Sequence, residues 1–231
     1  MNVLTVDQVT TAIKDKKLID NISFSLRQGS IMALVGHNGA GKSTLIKTIL
    51  SMMDKTSGKI VIQEEYDQDD DFIKFKQMIS YLPEEPLLMT ELTVMQHFQL
   101  YGISYEITED TLSQRVNRYV EGFELTDKLN EYPESLSKGM RQKVQTICAF
   151  IPDTPILLID EPFMGLDVYA IDYLKKLILE KALAGTSILL TTHQLDIVKD
   201  MAEYFIMLQH GKVLSMGPIQ DFDTIKRGSD Q

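Results

Sequence analysis

A glycine-rich segment of eight residues constrains this 231-residue chain more than any other feature of its sequence. It reads Gly-His-Asn-Gly-Ala-Gly-Lys-Ser at 36–43, fits the pattern G-x-x-x-x-G-K-[ST] throughout, and follows the apolar run Ile31–Val35. Glycines let a backbone close around phosphate oxygens with several N–H groups pointing inward. A helix that begins at the end of such a loop adds its positive N-terminal end. The segment therefore predicts a strand, a loop and a helix that together hold a nucleoside triphosphate.

Two side chains at the end of this loop act on the phosphates themselves. The Lys42 ammonium can reach the β- and γ-phosphates, and the Ser43 hydroxyl can ligand Mg²⁺. We expect the whole loop and the first residue after it to contact the nucleotide. These residues are Gly36, His37, Asn38, Gly39, Ala40, Gly41, Lys42, Ser43 and Thr44.

The order of apolar patterns predicts an α/β fold. Three short runs are apolar on both faces, as strands are when a parallel sheet is buried between helical layers. They are Ile31–Val35, Ile156–Ile159 and Ile188–Leu190. Apolar residues at helical spacing occur in Leu45–Met53 and Ile171–Ile178. This alternation indicates a mostly parallel sheet with helices packed against it.

Other segments predict additions to this core. Polar and apolar residues alternate in Ile22–Leu26, which with Lys59–Ile62 indicates flanking antiparallel strands, and Tyr204–Leu214 is typical of a hairpin. Residues 85–152 carry helical patterns, including one that Thr108 is placed to cap. We expect a single domain, 1–231, in which an α/β core of 1–84 and 153–231 with an antiparallel β part contains an inserted helical subdomain, 85–152.

Charge and composition exclude several classes of protein. The net charge of −10 disfavours general nucleic-acid binding, so we expect no nucleic-acid partner. The single cysteine, Cys148, lies in an apolar run, which excludes an intramolecular disulfide and predicts a buried structural thiol. The first residues lack the pattern of a signal peptide, and no apolar run approaches the roughly 20 residues of a membrane span. Any membrane association is therefore expected to be peripheral.

Neither the acidic run in the first half of the chain nor the spacing of histidine and cysteine predicts a metal site. The acidic run Tyr66–Asp71 lacks the spacing and the glycine of an EF-hand and predicts a solvated loop. Histidine and cysteine residues show no spacing that suits a zinc site. The sequence therefore predicts no metal site apart from one that belongs to the nucleotide.

Two adjacent carboxylates end the apolar run Ile156–Ile159. Asp160 is placed to hold Mg²⁺ directly or through water. Glu161 beside it can orient and polarise an attacking water. Taken alone, acids at the end of a strand could simply be solvated, and a phosphate-binding loop suits kinases, GTPases, helicases and motors equally well. Motifs elsewhere in the chain discriminate between these classes.

Four further motifs resemble, in order and approximate spacing, those of the ABC ATPase family. They are Tyr-Leu-Pro-Glu at 81–84 in the place of the Q-loop, Leu-Ser-Lys-Gly-Met-Arg-Gln at 136–142 in the place of the signature L-S-G-G-Q, Gly-Leu-Asp at 165–167 in the place of the D-loop, and Thr-Thr-His at 191–193 with the switch histidine. The resemblance covers essentially the whole chain. It implies a P-loop NTPase (RecA-like) core with a mostly parallel sheet, an antiparallel β subdomain and an inserted helical subdomain.

The resemblance also implies ATP hydrolysis with Mg²⁺ by a head-to-tail dimer that holds two ATP molecules at its interface. Ser137 and Gly139 would complete the γ-phosphate site of the opposite subunit, and Asp167 would belong to the residues that contact nucleotide. The implied catalytic residues are Lys42, Glu161 and His193. The implied metal ligands are Ser43, Glu84 and Asp160.

Two positions depart from the family pattern. The aromatic residue that usually stacks on adenine aligns near Ile13, which is aliphatic and lacks aromatic stacking. The Q-loop glutamine is replaced by Glu84, which can still ligand Mg²⁺ but adds a negative charge near Asp160 and Glu161. We therefore expect retained hydrolysis with altered metal dependence or coupling.

The implied partners are a transmembrane permease subunit and a second ATPase subunit, in a homodimer or heterodimer. The chain would be cytoplasmic and peripheral on the cytoplasmic face of the cell membrane, with Pro86–Thr93 and the helical subdomain against the permease. Its motif variants are similar to those of bacterial exporter subunits. Two alternatives remain: a soluble ABC ATPase outside transport, or a nucleotide-dependent switch without turnover. Ile13 and Glu84 motivate the switch, whereas the Asp160-Glu161 pair and His193 argue against it.

Overall fold

The computed structural model describes residues 1–193 and 198–224, and their main sheet has the predicted, mostly parallel architecture. In spatial order its six strands are β10 (Lys212–Pro218), β9 (Tyr204–Gln209), β3 (Ile31–Val35), β8 (Ser187–Thr191), β7 (Ile156–Asp160) and β6 (Ile79–Leu82). Strands β9, β3, β8, β7 and β6 run parallel to one another, and β10 pairs with β9 in the antiparallel sense. The expected late hairpin is thus β9 and β10.

A second sheet is antiparallel, which confirms the other part of the predicted fold class. Its strands, in spatial order, are β2 (Lys16–Arg27), β1 (Asn2–Ile13), β4 (Ser57–Ile62) and β5 (Tyr66–Asp67). The alternation in Ile22–Leu26 has its predicted cause, because the three apolar residues of that segment are buried while the two serines between them are half-buried.

Six α-helices have both ends within the described residues. They are α1 (Lys42–Ile49), α2 (Phe72–Gln77), α3 (Val94–Ser104), α4 (Glu109–Gly122), α5 (Lys138–Phe150) and α6 (Val168–Leu183). Helices α3, α4 and α5 lie between β6 and β7, within the range that we assigned to a helical subdomain, and Thr108 caps α4 as expected. Among residues 1–193 and 198–224, no helix combines the length and apolarity that a membrane crossing requires.

The central strands are buried on both faces because apolar residues alternate between two clusters. Ala33 of β3 packs in the cluster that contains α5 and α6, whereas Leu34 packs in the cluster that contains α1 and the antiparallel sheet. Cys148 of α5 is fully buried in the first cluster. Burial raises the pKa of its thiol well above the ordinary value, so the side chain packs as a neutral group.

Helix α1 is shorter than predicted, and a buried glutamine holds its C-terminal end. The helix ends at Ile49 rather than continuing to Met53, because Ser51 adopts a left-handed conformation with φ 50°. The Gln68 amide donates to the carbonyls of Thr48 at 2.7 Å and Ile49 at 3.0 Å, and its own oxygen accepts from Lys55 at 2.9 Å. These bonds reach two carbonyls at the end of the helix that accept no N–H group from within the helix itself.

The prediction of a solvated loop at Tyr66–Asp71 is therefore wrong in part. Asp69 and Asp70 are exposed as expected, but Gln68 is only 6% exposed. The pattern of the acidic run gives no sign that Gln68 caps the C-terminal end of α1, which lies about 20 residues earlier in the chain.

The substitution Gln68→Met tests this cap. It keeps an unbranched side chain but removes the amide, so we expect a loss of about 2 kcal/mol in the free energy of unfolding. Urea unfolding followed by circular dichroism measures the change. The exposed Asp70→Asn is the matched control and should stay within about 0.5 kcal/mol of the parent. Equal unfolding midpoints for the two variants would contradict the role of Gln68.

Candidate active site

A cleft of about 670 Å³ lies at the carboxyl edge of the parallel strands and brings most of the predicted site residues together. Its lining comes mainly from the glycine-rich loop and the first turn of α1, including Lys42 and Ser43. Glu84, Glu161 and His193 complete the opposite side. Segments that are far apart in sequence meet here because parallel strands end at the same edge of a sheet.

The glycine-rich loop is braced by the turn between β9 and β10. The Gly211 N–H donates to the Ala40 carbonyl at 2.9 Å, and the Asp20 N–H donates to the Gly211 carbonyl at 2.8 Å. Gly41 caps α1 with φ 110°, a conformation that side chains with a Cβ rarely adopt. Lys42 is only 7% exposed, and its Nζ donates to the Gly36 carbonyl at 2.9 Å. The lysine is thus ordered within the loop that it serves.

Thr191 connects the two acids at the end of β7. Its hydroxyl donates to Oδ1 of Asp160, and the Thr191 hydroxyl oxygen itself accepts the Glu161 N–H at 3.0 Å. Asp160 is 3% exposed, so this hydroxyl supplies a hydrogen bond that a buried carboxylate needs. The Thr191 side chain therefore positions both Asp160, the predicted Mg²⁺ ligand, and Glu161, which is predicted to activate water.

Glu161 has a strained backbone and a defined partner. Its φ of 46° lies in the left-handed region, which is unfavourable for a residue with a long side chain. Its carboxylate oxygen Oε2 accepts the His193 backbone N–H at 3.2 Å and lies 2.9 Å from Nδ1 of the His193 ring. The carboxylate is 10% exposed and the histidine side chain 52% exposed. In this arrangement the Glu161 carboxylate can accept a proton from a water molecule. The more exposed His193 ring lies at the mouth of the cleft.

Glu84 is exposed at the cleft and influences the half-buried phenol of Tyr81. The pKa of Tyr81 is raised well above its ordinary value, first by burial and then by the negative charges of Asp160 and Glu84. Tyr81 is thus a neutral neighbour of both acids. A cation in the cleft would offset the charge that Glu84 adds to that of Asp160.

The oxygen donors here suit Mg²⁺ bound together with phosphate. Ser43 and Asp160 offer a hydroxyl and a carboxylate, which are ligands that this hard cation prefers. Within the described residues, no three or more His, Cys, Asp or Glu side chains are grouped closely enough to hold a metal.

Eight predicted site residues do not line this cleft. Four of them lie within two residues of ones that do, namely Gly36, His37 and Ala40 of the glycine-rich loop and Asp160 beside Glu161. The other four, Ile13, Ser137, Gly139 and Asp167, lie elsewhere in the chain. Ile13 is 54% exposed at the end of β1 and pairs with Lys16 of β2. Lys16, Leu18 and Met164 do line the cleft, although the sequence interpretation did not include them. The signal that could have found Lys16 is the pairing of the first hairpin, because residues opposite the adenine position must lie near the nucleotide.

The other three residues lie where α5 packs against the loop that precedes α6. The Ser137 hydroxyl caps α5 by accepting the Met140 N–H at 3.2 Å. A Cβ on Gly139 would lie 2.8 Å from the Gly165 carbonyl oxygen, so only glycine permits this approach. One turn further, Lys143 Nζ contacts Asp167 Oδ2 at 2.9 Å, and this hydrogen bond lowers the Asp167 pKa.

The comparisons with known proteins agree on one family. A family model described as ABC transporter matches residues 19–164. The ABC-type transporter ATP-binding protein EcsA of Bacillus subtilis (strain 168) is 34% identical over 221 residues, which cover 96% of this chain and 89% of EcsA. A solved ATP binding subunit of an ABC transporter has a TM-score of 0.92 and 34% identity, covering 96% of this chain and 92% of that one.

A further solved structure shares the fold. It is a dimeric ATP-binding cassette in a post-hydrolysis state with bound ADP and Pi, with a TM-score of 0.80 and 22% identity over 94% of this chain and 98% of that one.

The substitution Thr191→Val tests the shared hydrogen bonds at the acids. It removes the hydroxyl at nearly constant volume, so Asp160 and Glu161 lose their common support. We expect turnover to fall about 10- to 100-fold, the scale of a small misplacement of catalytic groups. ATP hydrolysis per folded molecule measures it. Thr186→Val, which removes a buried hydroxyl bonded to the Thr154 carbonyl at the other end of β8, is the control. An equal fall in both variants would contradict a specific role for Thr191.

Proposed function

This chain belongs to the ABC transporter family and is an ATP-binding ATPase of that family, and we propose that it drives a separate membrane-spanning permease by closing and opening a dimer. The observation that carries the proposal is the division of the predicted site residues. The predicted catalytic residues Lys42, Glu161 and His193 line one cleft. Ser137 and Gly139 lie outside it. A chain with this arrangement needs a second subunit to complete each ATP site.

In the proposed reaction, water attacks the γ-phosphorus in line with the bond to ADP. The new bond joins the water oxygen to phosphorus, the bond to the β-phosphate oxygen breaks, and Glu161 accepts the proton of the water. Lys42 and the N–H groups of the loop stabilise the charge that develops on the phosphates. His193 keeps the Glu161 carboxylate directed toward the cleft and contacts the γ-phosphate.

Mg²⁺, when bound, supplies Lewis-acid stabilisation of the phosphate oxygens. Ser43 and Asp160 would hold it, and Glu84 is the third proposed ligand. The hydrogen bond from the Thr191 hydroxyl would hold the Asp160 carboxyl group in place for this purpose.

The proposed dimer places α5 of one subunit against the nucleotide of the other. The N-terminal end of this 13-residue helix carries an exposed Ser137, and a helix N-terminus favours an anion. Val168 and Tyr169 follow Asp167 and are 70% and 83% exposed. Exposed apolar side chains beside an anion site suit a contact that forms when ATP is bound. The second subunit is another copy of this chain or a related ATPase.

Mixing two inactive variants tests the shared site. Lys42→Ala removes the phosphate lysine, and Ser137→Asp keeps a good helix cap while placing a negative charge beside the phosphate. Each variant alone should lose turnover. An equal mixture should recover about a quarter of parental turnover if the sites act independently, because half of the dimers are mixed and each of these holds one intact site.

Ser137→Asn is the control for this mixture, because it keeps the cap without the charge and should retain most turnover. Two results oppose the proposal. If both variants bind ATP but their mixture recovers no turnover, each ATP site is contained within one subunit. Parental ATP binding without any turnover would favour the nucleotide-dependent switch.

The proposed permease surface is the docking segment, Pro86–Thr93. Leu87 and Met89 are 65% and 53% exposed, which is unusual for two large apolar side chains so close together. We propose that an apolar segment of the permease covers them and holds the chain on the cytoplasmic face of the membrane. Export is the proposed direction, supported by the resemblance of Leu-Pro-Glu-Glu-Pro at 82–86 to exporter subunits.

The double substitution Leu87→Asp with Met89→Asp tests this surface. Each change should weaken docking by about 2 kcal/mol, the scale for burial of one such side chain. The fraction of chain retained on washed membranes from the native source should therefore fall. Leu183→Asp is the matched control, because Leu183 is 88% exposed at the far end of α6. Equal retention of both variants would count against the docking segment.

A further inference from the structure

Three consecutive residues of the docking segment, 87–89, contact the helices beneath it, the middle one through its side chain and the outer two through their backbone N–H groups. Leu88 is half-buried and packs against the main apolar cluster, while its neighbours Leu87 and Met89 are exposed. The backbone N–H groups of both exposed residues are bonded to buried side chains, Gln145 of α5 and His97 of α3. The outward direction of the two apolar side chains thus depends on two specific anchors.

The hydrogen bonds of His97 define its chemical state. His97 is 2% exposed, and its Nε2 accepts the Met89 N–H at 2.9 Å. Its Nδ1 lies 2.8 Å from the Thr93 carbonyl oxygen. A backbone N–H can only donate and a carbonyl can only accept, so the ring is neutral with its proton on Nδ1. The histidine therefore joins Met89 to Thr93, the cap of its own helix.

Gln145 provides the second anchor in an equally defined orientation. It is 2% exposed, and its Oε1 accepts the Leu87 N–H at 2.9 Å while its Nε2 donates to the Tyr101 hydroxyl at 3.4 Å. Burial raises the pKa of Tyr101 to about 12, so this hydroxyl is a neutral partner. If Oε1 and Nε2 of Gln145 exchanged places, the Leu87 N–H would face a donor and its hydrogen bond would be lost.

We infer that His97, as the Nδ1–H tautomer, is the positioning residue that fixes the docking segment for its partner. The partner rests on the proposed function: an apolar segment of the permease that meets Leu87 and Met89. A segment already fixed in its docking conformation loses less conformational entropy when it binds. His97 supplies this order at Met89 and Gln145 supplies it at Leu87, so the two side chains act on separate amides, two residues apart.

The full chain in solution tests the inference by ¹⁵N NMR. The parent should show a His97 ring with hydrogen on Nδ1 and none on Nε2 near neutral pH. Its Met89 and Leu87 amides should both be protected from hydrogen exchange. Protonation at Nε2 in the parent would overturn the inference without any variant, so the test remains even where a substitution prevents folding.

Two variants separate the roles of the ring nitrogens. Asn at position 97 can replace Nδ1 but does not reach the place of Nε2, whereas Gln can. His97→Asn should speed exchange of the Met89 amide by about tenfold, as expected for the loss of one hydrogen bond. The Leu87 amide should stay protected, and His97→Gln should restore protection at Met89.

The reciprocal variant Gln145→Leu should expose the Leu87 amide and leave Met89 protected. Unchanged Met89 exchange in His97→Asn, or an equal rise at Leu87 and Met89, would overturn the inference. These readouts need neither ATP turnover nor a membrane. The permease assignment can therefore fail in the retention test while the positioning by His97 stands, and the reverse result is equally visible.

Discussion

The register of three parallel strands determines the geometry of the whole site. Thr191 at the end of β8 pairs with Leu34 of β3 on one side and with Asp160 of β7 on the other. The loop after β3, the acids after β7 and the histidine after β8 therefore leave the sheet at one level. A shift of one residue in either pairing would turn Asp160 or Thr191 to the opposite face and separate their hydrogen bond. The apolar residues that alternate between two buried clusters prevent this shift, because each face of the sheet has its own core.

Local patterns predicted the parts of the site whose conformation depends on their own segment. The loop at 36–43 and the doubly apolar strands are of this kind, since glycine positions and periodicity act over a few residues. Contacts between distant segments had no such pattern. Lys16 lines the cleft because β2 pairs with β1, and Gln68 is a cap because β5 passes the end of α1. Glu161 likewise showed no sign of strain in the sequence.

The strain at Glu161 is maintained by the bonds around it. Its N–H is shared between the Thr191 carbonyl, at 3.2 Å, and the Thr191 hydroxyl, at 3.0 Å. A residue stays in the left-handed region only where its surroundings hold it there. The same turn directs the carboxylate to the backbone and ring of His193. The strained backbone is therefore what separates the direction of Glu161 from that of the adjacent Asp160, which points to Thr191.

Helix α5 joins the two surfaces that we expect to meet other subunits. At its N-terminal end, Gly139 contacts the loop before α6, and one turn later Lys143 is paired with Asp167. Further along the same helix, Gln145 holds the Leu87 amide of the docking segment. A helix is stiff over this distance, so displacement of its N-terminal end also displaces the atom that anchors Leu87. In the proposed function, coupling between nucleotide and permease then requires no chain of side-chain rearrangements, because one rigid helix carries both contacts.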